Sequence, residues 1–115
     1  MKNNKYKVSV IIVNYNNSKY ITRSIKSALK QSYKNTEIIF VDDLSHDNSF
    51  SIAKKFKNIK VYRTTKKLKS KYGSYNQINA INCGLKNSKG DIIFFLDSDD
   101  FFKKNKITYF MKYMK

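Results

Sequence analysis

The sequence is poor in residues on which several common functional sites depend. Its 115 residues include one cysteine, three glycines, and no proline or tryptophan. The single cysteine, Cys83, excludes an intramolecular disulfide and is typical of a reducing cytoplasm. Three glycines, at positions 73, 84 and 90, are too few for a glycine-rich phosphate loop after the first strand. P-loop and dinucleotide-binding enzymes are thereby excluded.

Acidic residues are also scarce. Eight Asp and Glu stand against 24 Lys and Arg, which gives a formal net charge of +16. This charge predicts attraction to phosphates, which nucleic acid, anionic lipid or a small diphosphate could supply. For any single lysine, a solvated residue without a binding role is an equal alternative. Hydrophobic residues make up 41% of the chain, which is enough for a folded domain of this length.

Long apolar runs are absent, and none approaches the ~20 residues of a membrane span. Shorter runs at residues 8–13, 38–41 and 92–96 are apolar at nearly every position, which is typical of strands buried on both faces of a parallel sheet. A weaker strand is predicted at residues 60–64. We expect a cytoplasmic protein, with peripheral association with the inner membrane surface.

Helical spacing follows each predicted strand. The first helix carries Ile21, Ile25, Ala28 and Leu29, with Ser18 placed to cap its start. Further helices are predicted over residues 49–57 and 75–86. A fourth carries a packed stripe of Ile107, Phe110, Met111 and Met114. The alternation predicts a doubly wound α/β fold over residues 1–115, with a mainly parallel sheet of about four strands and helices on both faces.

Five of the eight acids follow predicted strands. Asp42 and Asp43 end the second strand, and Asp97, Asp99 and Asp100 follow the run at 92–96. Because the carboxyl ends of parallel strands share one sheet edge, these like charges should meet, and a bound cation would offset them. Oxygen ligands without nearby His or Cys favour Mg²⁺ or Mn²⁺, whose other ligands come from a substrate diphosphate.

A purely structural role is the alternative for these acids, since aspartate caps helices and forms turns. We favour that role for Asp47, which precedes the predicted helix at 49–57. For Asp97 and Asp99 we favour ligand binding. Two acids spaced by one residue directly after an apolar strand repel each other, which makes them a costly way to form a turn.

Six segments, in this order, resemble family 2 glycosyltransferases of the GT-A fold. They are VSVIIVNYNN at 8–17, SALKQS at 27–32, EIIFVDDLSHD at 37–47, AINCGL at 80–85, GD at 90–91 and FLDSDD at 95–100. An Asp-x-Asp alone is common by chance, whereas six motifs in order over nearly the whole chain are specific.

The resemblance implies roles for individual residues. Tyr15 would pack against the nucleotide base, and Asp43, with Asp42 beside it, would accept a hydrogen bond from that base. Asp97 would contact the ribose or the metal, and Asp99 would ligate the metal on the diphosphate. Asn82 would support the substrate-carrying loop, with helix packing as an equal alternative. No role is assigned to Asp100.

Some positions depart from the family pattern. Leu44 stands where glycine is usual, so the turn after Asp43 is expected to differ in shape, and His46 replaces a small hydroxyl residue. Ile81 replaces a frequent arginine, which removes one phosphate or base contact. Residues 66–75 lack the usual asparagine and glycine spacing, which puts that side of the nucleotide pocket in doubt.

The expected function is transfer of a sugar, with inversion, from a nucleotide-diphosphate sugar, UDP by default, to a glycan or lipid-linked acceptor. The general base of such enzymes lies beyond the Asp-x-Asp and is expected downstream of Lys115. We therefore expect a truncated chain that binds donor without transferring sugar and that self-associates through its last helix. A basic nucleic-acid-binding module is the alternative, but scattered basic residues argue against a nucleic-acid partner.

Overall fold

The computed structural model describes residues 5–66 and 77–114. Within these two ranges, four strands alternate with four helices, as the sequence predicts. They are β1 (Val8–Asn14), α1 (Ile21–Leu29), β2 (Thr36–Asp42), α2 (Ser49–Lys54), β3 (Lys60–Arg63), α3 (Ile78–Lys86), β4 (Ile92–Asp97) and α4 (Lys106–Met111). Within the described ranges, no helix has the length and apolar character needed to cross a membrane.

The four strands form one parallel sheet with the order β3-β2-β1-β4. All seven residues of β1 are buried, because β2 and β4 pair with its two edges and helices cover both faces of the sheet. The chain moves outward from β1 through β2 to β3, then returns past β1 to form β4. This reversal places a topological switch point between β1 and β4.

Helices cover both faces of the sheet, which confirms the predicted doubly wound α/β fold. One face of β1, with Val8, Val10 and Ile12, packs in the same core as α1, α2 and α4. The other face, with Ile11 and Val13, packs against α3. Alternate strand residues point to opposite faces, so a strand buried on both sides must be apolar throughout.

The packing of α3 on β1 is close because α3 carries glycine at the contact. A Cβ built on Gly84 would lie 2.5 Å from Cγ2 of Ile11, well inside van der Waals contact. A larger side chain at position 84 would therefore push α3 off the sheet or force Ile11 to move.

The predicted cap of α1 is wrong. The helix begins at Ile21 with Tyr20 at the N-cap position, and no side chain caps it. Ser18 lies in the preceding loop, where its backbone N–H donates to Asp47 Oδ2 over 3.0 Å. A tertiary hydrogen bond to a distant acid therefore takes the place of the local cap.

Two helix predictions, the end of α2 and the buried stripe of α4, also differ from the structure. The helix expected over residues 49–57 ends at Lys54, and α3 begins at Ile78, although the start expected at residue 75 lies outside the described residues. In α4 the packed stripe is reduced to Ile107 and Met111. Phe110 is 48% exposed, although its ring packs edge-on against Phe94 with 5.2 Å between the centroids. Met114 is 39% exposed and lies beyond the end of the helix at Met111.

At the amino edge of the sheet, a hydrogen-bond network joins β1, β2 and the turn before β4. Glu37 accepts hydrogen bonds from Ser9 Oγ at 2.5 Å, from the Lys89 N–H at 2.5 Å and from Lys60 Nζ at 3.2 Å. Ser9 Oγ in turn accepts the Gly90 N–H over 2.8 Å. Burial acts to raise the pKa of Glu37, but the hydrogen bonds and the Lys60 charge outweigh it, so the net pKa is lowered.

Replacing Glu37 with Gln is expected to lower the free energy of unfolding by about 2 kcal/mol at pH 7, because hydrogen bonds to an ionised group are lost. Folding lowers the Glu37 pKa, so its contribution is complete above the ordinary carboxyl pKa and is lost as the pH falls through the folded-state value. Urea unfolding of both proteins at neutral and acid pH should show the difference shrinking toward acid. A difference that stays constant with pH would contradict the account.

Candidate functional site

The ends of β1, β2 and β4 meet at the carboxyl edge of the sheet, beside the switch point. Backbone hydrogen bonds continue past the strands there. The Asp43 N–H donates to Asn14 O at 2.8 Å, and the Ser98 N–H donates to Val13 O at 3.3 Å. In open α/β sheets ligands bind at this edge, so the structure brings the predicted acids to the expected place.

Asp42 is fully buried, and protein groups satisfy both of its carboxylate oxygens. Oδ1 accepts from Asn14 Nδ2 at 2.9 Å and from Ser45 Oγ at 2.6 Å. Oδ2 accepts from the Ser45 N–H at 3.0 Å and pairs with Arg63 Nε at 3.1 Å. These contacts give Asp42 a supporting place in the site, and its contact with a ligand stays a prediction.

Arg63 extends this network outward from the edge strand β3. Its guanidinium also donates to the Ser45 carbonyl over 3.0 Å, and it lies over the Phe50 ring at 4.7 Å from the centroid. One side chain thus ties the end of β3 to the turn after β2. The sequence reasoning missed Arg63, because its partners are about 20 residues away in the chain.

Asp43, the next residue, is buried at the same edge. Its Oδ1 accepts a hydrogen bond from Thr64 Oγ1 over 2.9 Å. Tyr15 is partly exposed nearby, and its ring meets His46 edge-on with 6.3 Å between the centroids. Tyr15 thereby shares the loop surface with the turn that follows Asp43.

The turn after Asp43 places Leu44 in a backbone conformation that glycine adopts more readily. Leu44 adopts a φ of 59°, in the left-handed region that costs a residue with a Cβ about 1–2 kcal/mol. The expectation that this turn differs in shape from that of the family stays a prediction. The Asp42 hydrogen bonds to Ser45 on the far side of the turn hold Leu44 in this conformation.

Asp47 holds a neighbouring loop at the same edge. Its Oδ1 accepts the Ser49 N–H at 3.0 Å and its Oδ2 accepts the Ser18 N–H at 3.0 Å. Burial acts to raise the Asp47 pKa, but hydrogen bonds from Ser49 and Ser18 prevail and lower it. The structural role that the sequence favours for Asp47 is confirmed, with the carboxylate bonding the first amide of α2.

Asp97 and Asp99 differ from the acids of β2 because both side chains are exposed. Between them Ser98 is buried, and its Oγ accepts a hydrogen bond from Asn17 Nδ2 over 2.9 Å. Within residues 5–66 and 77–114, neither carboxylate has a hydrogen-bond or ion-pair partner. An anchored backbone therefore presents two unpaired carboxylates to the solvent.

A divalent cation fits these two residues only if its other ligands come from outside the described residues. Two carboxylates supply hard oxygen donors of the kind that Mg²⁺ and Mn²⁺ prefer. Among the described residues no group of three metal-ligating side chains occurs. The donor set therefore suits an ion that shares its coordination with water and a substrate's phosphates, and not one held in a cage of protein ligands.

The structure does not bring Asn82 to this group of residues. Asn82 lies on the exposed side of α3, whereas Ala80 and Gly84 face the sheet. Its predicted role in supporting the substrate loop stays a prediction. Most of that loop, residues 67–76, lies outside the described residues. The expectation that this side of the nucleotide pocket departs from the family pattern therefore also stays a prediction.

Asn14 is a further residue that the sequence reasoning overlooked. It is fully buried at the end of β1, and its Nδ2 binds both Asp42 and Ser45. Its Oδ1 is buried without a hydrogen-bond partner among the described residues, a state that costs about 1–3 kcal/mol. A polar residue ending an apolar strand was the available signal.

The fold and the edge define an α/β protein whose sheet has an edge rich in carboxylates. A family model described as "Glycosyl transferase family 2" matches residues 9–115. The chain belongs to this family. The match confirms the resemblance drawn from the six motifs and gives no support to the nucleic-acid-binding alternative.

Two curated relatives have named activities. The chain is 40% identical to the Escherichia coli UDP-Glc:alpha-D-GlcNAc-diphosphoundecaprenol beta-1,3-glucosyltransferase WfaP over 94% of its own length and 41% of WfaP. It is 38% identical to the Staphylococcus aureus poly(ribitol-phosphate) beta-N-acetylglucosaminyltransferase TarP, over 95% of the chain and 33% of TarP. The chain therefore spans about two fifths or less of these relatives.

Solved structures of S. aureus TarS have the same fold. TarS 1–349 in complex with UDP superimposes with a TM-score of 0.77 at 31% identity, over 92% of this chain and 31% of that one. The same protein in complex with UDP-GlcNAc gives a TM-score of 0.73 at 32% identity, over 92% of this chain and 30% of that one. The GT-A fold is thereby confirmed.

Substitutions of the buried and the exposed acids of the site should have different effects on the stability of the fold. Asp42→Asn is expected to lower the free energy of unfolding by about 2–3 kcal/mol, because it removes the Arg63 ion pair and places an NH2 donor where an oxygen accepts hydrogen bonds from other donors. Asp99→Asn, an equal loss of charge at an exposed residue, should change it by less than about 0.5 kcal/mol. Urea unfolding of both variants measures the contrast, and equal effects would refute the division of roles.

Proposed function

We propose that this chain binds the nucleotide-diphosphate sugar donor of a glycosyltransferase, with a UDP sugar as the donor. The observation that carries this proposal is the exposed, unpaired carboxylate pair of Asp97 and Asp99 beside the β1/β4 switch point. Family membership supports it, as does the likeness to TarS, whose structures contain UDP and UDP-GlcNAc.

The nucleoside would lie on the side of the edge formed by β1 and β2. Asp43 would accept a hydrogen bond from the base, and Tyr15 would cover one face of the base. Protein hydrogen bonds fix the backbone around both residues. Thr64 donates to Asp43, and the Asn16 N–H, next to Tyr15, donates to Ser45 Oγ. A fixed acceptor loses little conformational freedom on binding, which favours affinity.

The diphosphate would lie on the β4 side, next to Asp97 and Asp99. Asp97 would contact the ribose or the metal, and Asp99 would ligate Mg²⁺ or Mn²⁺. A bound divalent ion supplies charge that offsets the negative charge developing on a leaving diphosphate. The chain's own contribution is to aim two carboxylates outward by anchoring Ser98 to Asn17.

Transfer itself is proposed for the whole enzyme, with inversion at the sugar carbon and a glycan or lipid-linked acceptor. The names of WfaP and TarP give precedents for phosphate-bearing acceptors, one linked to a lipid and one a polymer. No described residue of this chain is assigned as the general base. A cytoplasmic location, with peripheral contact at the inner membrane surface, belongs to the same proposal.

Removal of the Asp99 carboxylate should abolish the metal's effect on nucleotide binding. We expect UDP to bind more tightly with Mn²⁺ than without it, and Asp99→Ala to remove most of that difference, because the ion loses its protein ligand. Calorimetric titration with UDP, with and without Mn²⁺, measures this. Asp91→Asn, an equal loss of charge at the opposite edge, is the control and should keep the full metal effect. If Asp99→Ala keeps it too, the metal assignment fails.

Loss of the Asp43 carboxylate should weaken UDP binding whether or not metal is present, because a contact with the base does not depend on the diphosphate ion. A drop in affinity of about tenfold is expected for a lost hydrogen bond to a charged acceptor. The same titrations test Asp43→Ala, with Asp91→Asn as the control. A loss confined to the Mn²⁺ condition would move Asp43 to the metal site.

A further inference from the structure

The segment that follows the Asp-x-Asp is fixed along the side of α1. Beyond the carboxyl end of α1, Gln31 Nε2 donates to the Lys103 carbonyl at 2.7 Å, and the Ser32 N–H donates to the Lys104 carbonyl at 3.0 Å. Gln31 is 1% exposed, so this attachment is part of the folded core. The backbone carbonyls of Lys103 and Lys104 are therefore bound to protein, while their side chains are exposed.

The other end of the same segment lies beside the carboxylate edge. Phe101 follows Asp99 by two residues, and the guanidinium of Arg23 stacks on its ring at 4.4 Å from the centroid. Ser24, next along α1, approaches the Asp97 carbonyl at 3.5 Å. The segment and α1 therefore run side by side from the proposed donor edge toward the opposite edge of the sheet.

The exposed side of α1 carries a stripe of positive charge. Arg23, Lys26 and Lys30 follow at spacings of three and four residues, which places them on one helical face, and Lys19 precedes them. From Arg23 to Lys30 the stripe extends about 10 Å at ~1.5 Å per residue. All four side chains are exposed.

The facing segment adds three cations, Lys103, Lys104 and Lys106. Lys30 and Lys104 line one cleft between the helix and the segment. We name the surface formed by these seven cations the basic groove. Asp100 is the one acid among its described lining residues. None of the seven cations forms an ion pair with another described residue, so their charge is available to a ligand.

We propose that the basic groove binds the phosphate groups of a linear, phosphodiester-bearing acceptor, which runs along α1 away from Asp97 and Asp99. This inference rests on the proposed function, because only a transferase requires an acceptor beside its donor edge. The cations follow α1 over about 10 Å and continue on the segment beside it. This linear arrangement of positive charge is complementary to phosphates spaced along one polymer chain.

Binding of a polyol-phosphate oligomer to this chain tests the proposal. Lys26→Gln combined with Lys30→Gln should weaken binding about three- to tenfold and reduce the slope of log affinity against log salt by about 1.4, at ~0.7 per lost phosphate contact. The control is Lys86→Gln with Lys89→Gln, an equal charge loss at exposed residues of α3 and the turn after it, which should keep wild-type affinity within about twofold. Lys103→Gln with Lys104→Gln should reproduce the loss from the other side of the groove.

Three comparisons separate the outcomes. Equal losses in the groove and control variants, or no loss in either groove variant, overturn the proposal. Anionic phosphatidylglycerol vesicles should bind the groove variants and the control alike, so a loss confined to vesicle binding would assign the groove to a membrane and overturn it. A single-stranded oligonucleotide that binds as tightly as the oligomer, with the same losses, would show unselective polyanion binding and overturn it too.

UDP titration of the same proteins keeps the two proposals apart. The groove variants should bind UDP like the wild type, which also shows that they are folded. If the wild type binds the oligomer at the groove but does not bind UDP, the proposed function fails while the groove stands as a phosphodiester site. If UDP binds and the oligomer does not, the groove assignment alone fails.

Discussion

The parallel pairing of β1 with both β2 and β4 is the constraint on which the rest of the structure depends. It covers both edges of β1 and, with the parallel pairing of β3 on β2, makes all four strands end at one edge of the sheet. It also sets the switch point, because β4 can pair with β1 only after the chain has crossed the sheet on its α3 face. The acids gather at that edge as a consequence of chain topology, although their repulsion opposes it.

The structure handles this repulsion differently on the two strands. Asp42 is buried, and donors from β1, the following turn and Arg63 satisfy it, so its charge stabilises the turn that carries Asp43. Asp97 and Asp99 stay in water, where two charges repel weakly. Without protein partners, these two carboxylates would destabilise the fold only if they lost their water. Binding of a cation and a diphosphate would remove that water, and the charge of the cation would compensate for its loss.

Much of this arrangement was predictable from the sequence. Unbroken apolar runs identify buried parallel strands, and the acids that directly follow them mark the carboxyl edge. The Asp42 to Arg63 pair and the Asn14 contacts were not predictable, because they join residues 21 and 28 positions apart through tertiary packing. The prediction that Ser18 caps α1 failed for the same reason. Leu44 shows that a strained φ can persist when hydrogen bonds fix the residues on either side of it.

Mapping UDP binding by the amide chemical shifts of the isotope-labelled chain tests the central claim most directly, namely that the carboxyl edge at the β1/β4 switch point binds the nucleotide. The account predicts the largest shift changes at Tyr15, Asp43 and Asp97, with little change at Glu37 and Lys89 on the opposite edge. Shift changes concentrated at the opposite edge or on the exposed face of α3, or none at saturating UDP, would contradict it.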